Sequence, residues 1–66
     1  MNRLKLNLDI YSIENIEKTC QVYEDYARIK ILHEGSKIEL EFNECKYDPD
    51  LTMKEFENYL INVENT

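Results

Sequence analysis

The sequence predicts an α+β fold in which the elements follow the order β-α-β-β-α. Apolar and polar residues alternate over 4–10 and again on both sides of Gly35, and an amphipathic helical stripe follows the first strand and the last. The 66 residues, of which 42 % are hydrophobic, predict a single small domain over 1–66. We expect a three-stranded antiparallel sheet with two helices on one face.

The first predicted strand covers residues 4–10 and has one buried side. That side carries Leu4, Leu6, Leu8 and Ile10. Ser12, just after the strand, is a good N-cap for a helix from about Ile13 to Tyr26. The apolar stripe of this helix is Ile13, Ile16, Cys20, Tyr23 and Ala27. Cys20 is therefore expected in the core, where a thiol is inert.

Residues 27–43 predict a β-hairpin with Glu34 and Gly35 as its turn. The expected cross-strand pairs are Ile31–Ile38, Ile29–Leu40, Ala27–Phe42, Lys30–Glu39 and Arg28–Glu41. This register pairs apolar residues with apolar ones and cations with anions. A slip of one residue would lose every such pair.

A second helix is predicted to begin at Met53, after a polar loop over 44–50 that holds the only proline. Thr52 and Glu55 have the spacing of a capping box, which marks a helix start. The apolar stripe that follows is Met53, Phe56, Leu60 and Val63. We expect residues 64–66 to fray.

Surface charges predict the order of the strands. The outer face carries Arg3 and Lys5 on the first strand, Arg28 and Lys30 on the second, and Glu39 and Glu41 on the third. An acidic strand between two basic ones is attracted on both sides, so order 1-3-2 is preferred over 1-2-3. The sheet residues expected in the core are Leu4, Leu6, Leu8, Ile29, Ile31, Ile38, Leu40 and Phe42.

The composition limits the function. Fourteen acidic residues against eight basic ones give a net charge of −6, which argues against binding to nucleic-acid backbones. The first twelve residues contain no continuous apolar run and predict neither a signal peptide nor a membrane span. Cys20 and Cys45 lack the spacing of a metal site, so we expect a reduced, cytoplasmic chain without metal or cofactor.

No residue pattern predicts catalysis, and we expect a protein that is not an enzyme. His33 is the only histidine and has no serine, cysteine or acid placed to form a triad. Glu44, Asp48 and Asp50 crowd one loop, but they lack the ligand number and the glycine-bearing loop of a calcium site. A turn into the second helix is the simpler interpretation of that loop.

The remaining candidate sites are surfaces for binding. The outer strands and the open sheet face are suited to an extended peptide or a larger protein. The predicted binding residues are Arg28, Lys30 and Leu32 on the second strand and Arg3 and Lys5 on the first. Five tyrosines are also present, and the sequence leaves open whether they serve an interface or close the edge of a small core.

Several of these residues match the sequence pattern of a known small family. They are Tyr11-Ser12 after the first strand, the stripe Ile13, Ile16, Cys20 and Tyr23, and the terminal run Glu55-Phe56, Asn58 and Leu60 with its E-F-x-N-x-L pattern. The chain resembles the D-type small component of His-Xaa-Ser peptide-modification systems, which accompany radical-SAM maturases. The resemblance implies a non-enzymatic accessory protein that acts beside a maturase and its precursor peptide. It carries over no catalytic residue.

A second function from a different class is motivated by the net charge and by acidic residues on both helices, which are Glu14, Glu17, Glu24, Asp25 and Glu57. The chain is then a small acidic inhibitor or adaptor that occupies a basic surface of another protein. Exposed charges are screened over about 10 Å at 0.1 M salt, so such binding should weaken steeply as salt is added.

Overall fold

Two helices cover one face of a three-stranded antiparallel sheet in the computed structural model, which describes residues 2–66. The elements are β1 (Asn2–Asn7), α1 (Ile13–Val22), β2 (Arg28–Glu34), β3 (Lys37–Asn43) and α2 (Pro49–Glu64). The strand order is β1-β3-β2. The predicted α+β class, element order and sheet order are all confirmed.

The core lies between the sheet and the two helices. Its buried residues are Leu6, Ile16, Ala27, Ile38, Leu40, Phe42, Phe56 and Leu60. The central strand β3 buries every second residue, while Glu39 and Glu41 between them lie on the outer face. The rings of Phe42 and Phe56 meet edge to face at 5.3 Å between centroids, which joins the sheet to α2.

Of the eight sheet residues expected in the core, Ile31 is wrong. Ile31 shares a face with the core residues but is 40 % exposed. It lies on an edge strand, and α2 packs against β1 at the other side of the sheet. Leu4, Leu8 and Ile29 are half-buried and pack against the core.

The hairpin register is two residues away from the prediction. The turn is Gly35 and Ser36, so Glu34 faces Lys37 across it. Gly35 has φ +57°, and a two-residue loop with glycine in its first position is typical of a type II′ turn. The observed pairs include Ile31–Leu40, Ile29–Phe42, Lys30–Glu41, Leu32–Glu39 and Arg28–Asn43. A shift of two residues keeps each side chain on its predicted face, so the alternation of apolar and polar residues does not distinguish the two registers.

The first strand ends earlier than predicted, at Asn7. The Asn7 side-chain oxygen accepts a hydrogen bond from the N–H of Asp9, and its carbonyl accepts from Ile10 and Tyr11. An asparagine that caps its own turn in this way stops the strand. Ile10, predicted on the apolar side of the strand, is 67 % exposed.

Helix α1 begins as predicted and ends four residues early. Ser12 is its N-cap and accepts a hydrogen bond from the N–H of Asn15. The helix ends at Val22, and the carbonyl of Tyr23 accepts from both Tyr26 and Ala27 in the turn that leads to β2. Ala27 is buried just before that strand begins.

Helix α2 begins at Pro49, and its predicted start at Met53 is wrong. Asp48 is the N-cap and accepts from the N–H of Leu51 at 3.1 Å. Proline is favoured in the first turn of a helix because its fixed φ suits the helix and no N–H is needed there. Thr52, the predicted cap, is buried inside the helix and donates to the Asp48 carbonyl.

The end of α2 is tied to the start of α1. The backbone N–H of Ser12 donates to the Glu64 carboxylate at 2.7 Å, so the prediction that Glu64 frays is wrong. This hydrogen bond lowers the pKa of Glu64. The tie joins two helix ends that are 52 residues apart in the chain.

Candidate functional site

The five predicted binding residues lie together on the outer face of the sheet. Arg3 and Lys5 stand on β1, and Arg28, Lys30 and Leu32 stand on β2, with β3 between the two strands. Two rows cross the sheet, Arg3–Glu41–Lys30 and Lys5–Glu39–Leu32. The side chains are therefore neighbours in space although they come from two distant segments of the chain.

Two arginines of this face are engaged with glutamates. Arg3 contacts Glu39 at 3.0 Å and Glu41 at 3.2 Å. A hydrogen bond from Asn43, together with the nearby charges of Arg3 and Lys30, lowers the pKa of Glu41. Arg28 pairs with Glu44 at 2.9 Å, rather than with Glu41 as predicted. The outer face is thus a mixed-charge surface, and its central acids offset the surrounding cations.

A shallow hollow of about 250 Å³ lies on this face near the hairpin turn. Lys5, Leu32, Glu34, Lys37, Ile38 and Glu39 line it. Leu32 is half-buried there, and it is the one apolar side chain that β2 places on the outer face.

The edge of β2 presents backbone groups in a defined alternation. The N–H of Leu8 donates to the Ser36 carbonyl, so Ser36 and every second residue after it face β1. The intervening residues of β3 face β2 and pair with Arg28, Lys30, Leu32 and Glu34. The N–H and C=O groups of Ile29, Ile31 and His33 therefore point away from the sheet. Within residues 2–66, no strand pairs with that side of β2.

A groove runs between this edge and α1. It has a volume of about 420 Å³, and its lining is Cys20, Gln21, Glu24, Ala27, Arg28 and Ile29. The groove lies on the helix side of the sheet, between α1 and the start of β2. Ile31 lies on the same side of β2 as Ile29, nearer the hairpin turn, and is 40 % exposed.

A second cleft, which the sequence did not predict as a site, lies between the end of α1 and the start of α2. It has a volume of about 480 Å³ and is lined by Val22, Tyr23, Tyr26, Tyr47, Leu51, Thr52, Glu55 and Tyr59. Four of the five tyrosines meet here. Their ring centroids are 6.1 Å apart for Tyr47 and Tyr26, 5.8 Å for Tyr26 and Tyr23, and 6.1 Å for Tyr23 and Tyr59.

The two cysteines are free and partly buried. Burial, with a smaller effect of the Glu17 carboxylate, raises the pKa of Cys20 from 9.0 to about 11. The thiol therefore stays protonated near neutral pH and is a poor nucleophile. Cys45 also packs against the core.

The raised pKa of Cys20 predicts a loss of stability in alkali. The pKa of Cys20 is higher in the folded state than in the unfolded state. The buried thiol therefore contributes fully to the free energy of unfolding below about pH 9, and this contribution is lost as the pH rises to about 11. Urea midpoints of the parent and of Cys20→Ala should therefore diverge over this range, with the parent losing more. Parallel pH curves for the two proteins would show that the thiol is not buried in this way.

His33 and the acidic loop have structural partners. The Nε2 atom of His33 lies 3.0 Å from the carbonyl of Gly35, and Asp48 caps α2. Among the described residues, no group of three or more His, Cys, Asp or Glu side chains is placed to hold a metal ion. No helix in residues 2–66 is both long and apolar enough to cross a membrane.

The fold and these surfaces define a small α+β domain with an open sheet edge beside a groove. Comparison of the chain with protein-family models, curated proteins and solved structures finds no match.

Proposed function

We propose that this chain is a non-catalytic binding module that pairs an extended peptide segment with the open edge of β2. The observation that carries the proposal is the outward alternation of Ile29, Ile31 and His33 along that edge. In this binding mode, main-chain hydrogen bonds supply affinity, and alternate side chains of the peptide supply register.

The surroundings of the edge support a peptide rather than a second flat sheet. On one side, the groove beside α1 receives the side chains that point towards the helices. On the other side, Leu32 and the hollow near Lys5 receive those that point outwards. Arg28 and Lys30 flank the path of the peptide on that outer face.

The other edge of the sheet is the second choice for the peptide. On β1, Arg3, Lys5 and Asn7 carry the outward backbone groups by the same alternation. All three side chains are polar, so a peptide there would gain little apolar contact. An edge strand lined by polar and charged residues is typical of one protected from pairing.

The partner is proposed from the resemblance given above. We propose that the module acts beside a radical-SAM-type peptide-modifying maturase, in the cytoplasm, and binds either the enzyme or its precursor peptide. The small domain devotes its buried volume to one core, which suits a role in presenting a peptide rather than in enclosing a reaction. Neither nucleic acid nor a membrane is part of this proposal.

The experiment is a binding titration with purified components. Neighbouring genes that encode a radical-SAM enzyme and a short precursor would supply them. The chain should co-purify with the maturase or bind the precursor peptide at micromolar concentrations, with modest dependence on salt. Binding to neither component, alone or together, would contradict the proposal. Binding that disappears as salt is raised would favour the acidic adaptor instead.

A further inference from the structure

The tyrosine cleft is separate from the β2 edge and from the outer sheet face. Its lining comes from the end of α1, from the start of α2 and from Tyr47 in the loop between β3 and α2. Several of its apolar side chains are well exposed, among them Tyr47 at 59 % and Leu51 at 52 %. These exposed apolar side chains gather in one cleft, where a ligand or partner can contact several of them at once.

The rings of the cleft are suited to a cation. The face of an aromatic ring is electron-rich and attracts a cation within about 6 Å of its centre. The chain shows this interaction at the rim, where the Lys46 ammonium lies 5.8 Å from the centre of the Tyr47 ring. Tyr23 and Tyr59 both line the cleft, and their rings meet edge to face, nearly perpendicular at 81°.

A carboxylate completes the charge of the site. Glu55 lines the cleft, and it takes part in no salt bridge among the described residues. The Glu55 carboxylate acts electrostatically on one of these rings. Burial and, to a smaller extent, the charge of Glu55 raise the pKa of Tyr23. The net charge of −6 adds to the attraction for a positive ligand.

We propose that this cleft binds the guanidinium group of an arginine side chain carried by a basic peptide segment. A guanidinium is planar, stacks on aromatic faces and pairs with a carboxylate through two hydrogen bonds. A lysine ammonium offers neither the stacking nor the paired hydrogen bonds, and it is more strongly hydrated. This proposal stands on residues that the β2 edge does not use, and each can fail without the other.

The test uses two short peptides that differ only in charge. Acetyl-Gly-Arg-Gly-amide and its citrulline counterpart have nearly the same shape, but the citrulline side chain is neutral. Each is titrated into the full chain while amide signals of the cleft residues are followed by NMR. The arginine peptide should bind about two- to five-fold more tightly, the range that a cation–π contact gives at an exposed site.

Two variants locate the effect. Glu55→Gln should weaken binding of the arginine peptide more than binding of the citrulline peptide, because it removes the carboxylate and keeps the rings. Glu14→Gln makes the same charge change at the first turn of α1, away from the cleft, and should leave most of the difference in place. Ile31→Pro on the β2 edge should change neither affinity.

Three results would overturn the proposal. Equal binding of the two peptides would mean that the cleft does not recognise the positive charge. Equal losses in Glu55→Gln and Glu14→Gln would assign the effect to net charge instead of the cleft. Signal changes confined to β2 would place the arginine elsewhere.

Discussion

Replacement of Leu40 by alanine is expected to lower the free energy of unfolding by about 2–5 kcal/mol. Leu40 is fully buried on the central strand, where it faces Leu4 on one side and Ile31 on the other. Truncation removes apolar contacts to both neighbouring strands and leaves a cavity that a packed core fills only in part. Since a domain is typically stable by about 5–15 kcal/mol, and small ones lie at the low end, much of the variant should be unfolded on mild heating.

Thermal or urea unfolding followed by circular dichroism measures this loss. Leu51→Ala is the matched control, because it makes the same chemical change at a position that is 52 % exposed. The control should stay within about 0.5 kcal/mol of the parent, as surface substitutions usually do. A melting temperature of Leu40→Ala within a few degrees of the parent would show that the core is not centred on β3.

Replacement of Ile31 by proline is expected to weaken binding of the precursor peptide by about tenfold, through the loss of an edge hydrogen bond and the bulk of the ring. Proline removes the N–H of a residue whose backbone points away from β3. The hydrogen bonds of the hairpin ladder are therefore kept, and proline is tolerated on an edge strand in this position. The fold should survive while the edge is blocked.

Ile31→Ala is the control for this variant. It removes the same apolar side chain but keeps the N–H, so it separates the backbone effect from the loss of apolar contact. Isothermal titration with the precursor peptide gives the affinities, and amide NMR spectra verify that both variants are folded. If alanine and proline weaken binding equally, the main chain of β2 is not part of the interface.

The sequence predicts the fold well because the relevant signals are redundant. Alternation in β3 requires Ile38, Leu40 and Phe42 to share a buried face, and the charges of Arg3 and Glu39 favour the observed strand order. The structure has both features. A shift of two residues leaves a period-2 pattern unchanged, however. The predicted turn is therefore one position away from the observed turn, and the predicted cross-strand pairs are two residues away from the observed pairs.

Helix ends were predicted less well, since local sequence offers more than one cap. Thr52 and Glu55 match the pattern of a capping box, but Asp48 followed by Pro49 begins the helix one turn earlier. Aspartate is at least as good a cap as threonine, and the proline fixes the first turn. The buried hydroxyl of Thr52 is instead satisfied by the Asp48 carbonyl.

The sequence predicts one of the two candidate sites but not the other. The predicted surface residues share one face because strand alternation determines their side of the sheet. The tyrosine cleft depends on the packing of three segments, with Tyr23 and Tyr26 from one, Tyr47 from another and Tyr59 from a third. Patterns in a single sequence describe each segment separately. They show that tyrosines are numerous, but they do not predict that four of them pack around one cleft.

Amide hydrogen exchange along β2, with and without the precursor peptide, tests the central claim most directly. In the unbound chain, the amides of Lys30 and Leu32 should exchange slowly, because they face β3, and those of Ile29, Ile31 and His33 should exchange fast. Saturating peptide should slow the exchange of these three while Lys30 and Leu32 stay protected, which is the alternation that an added strand requires. Unchanged exchange at Ile29, Ile31 and His33 in the fully bound state would contradict binding at the edge of β2.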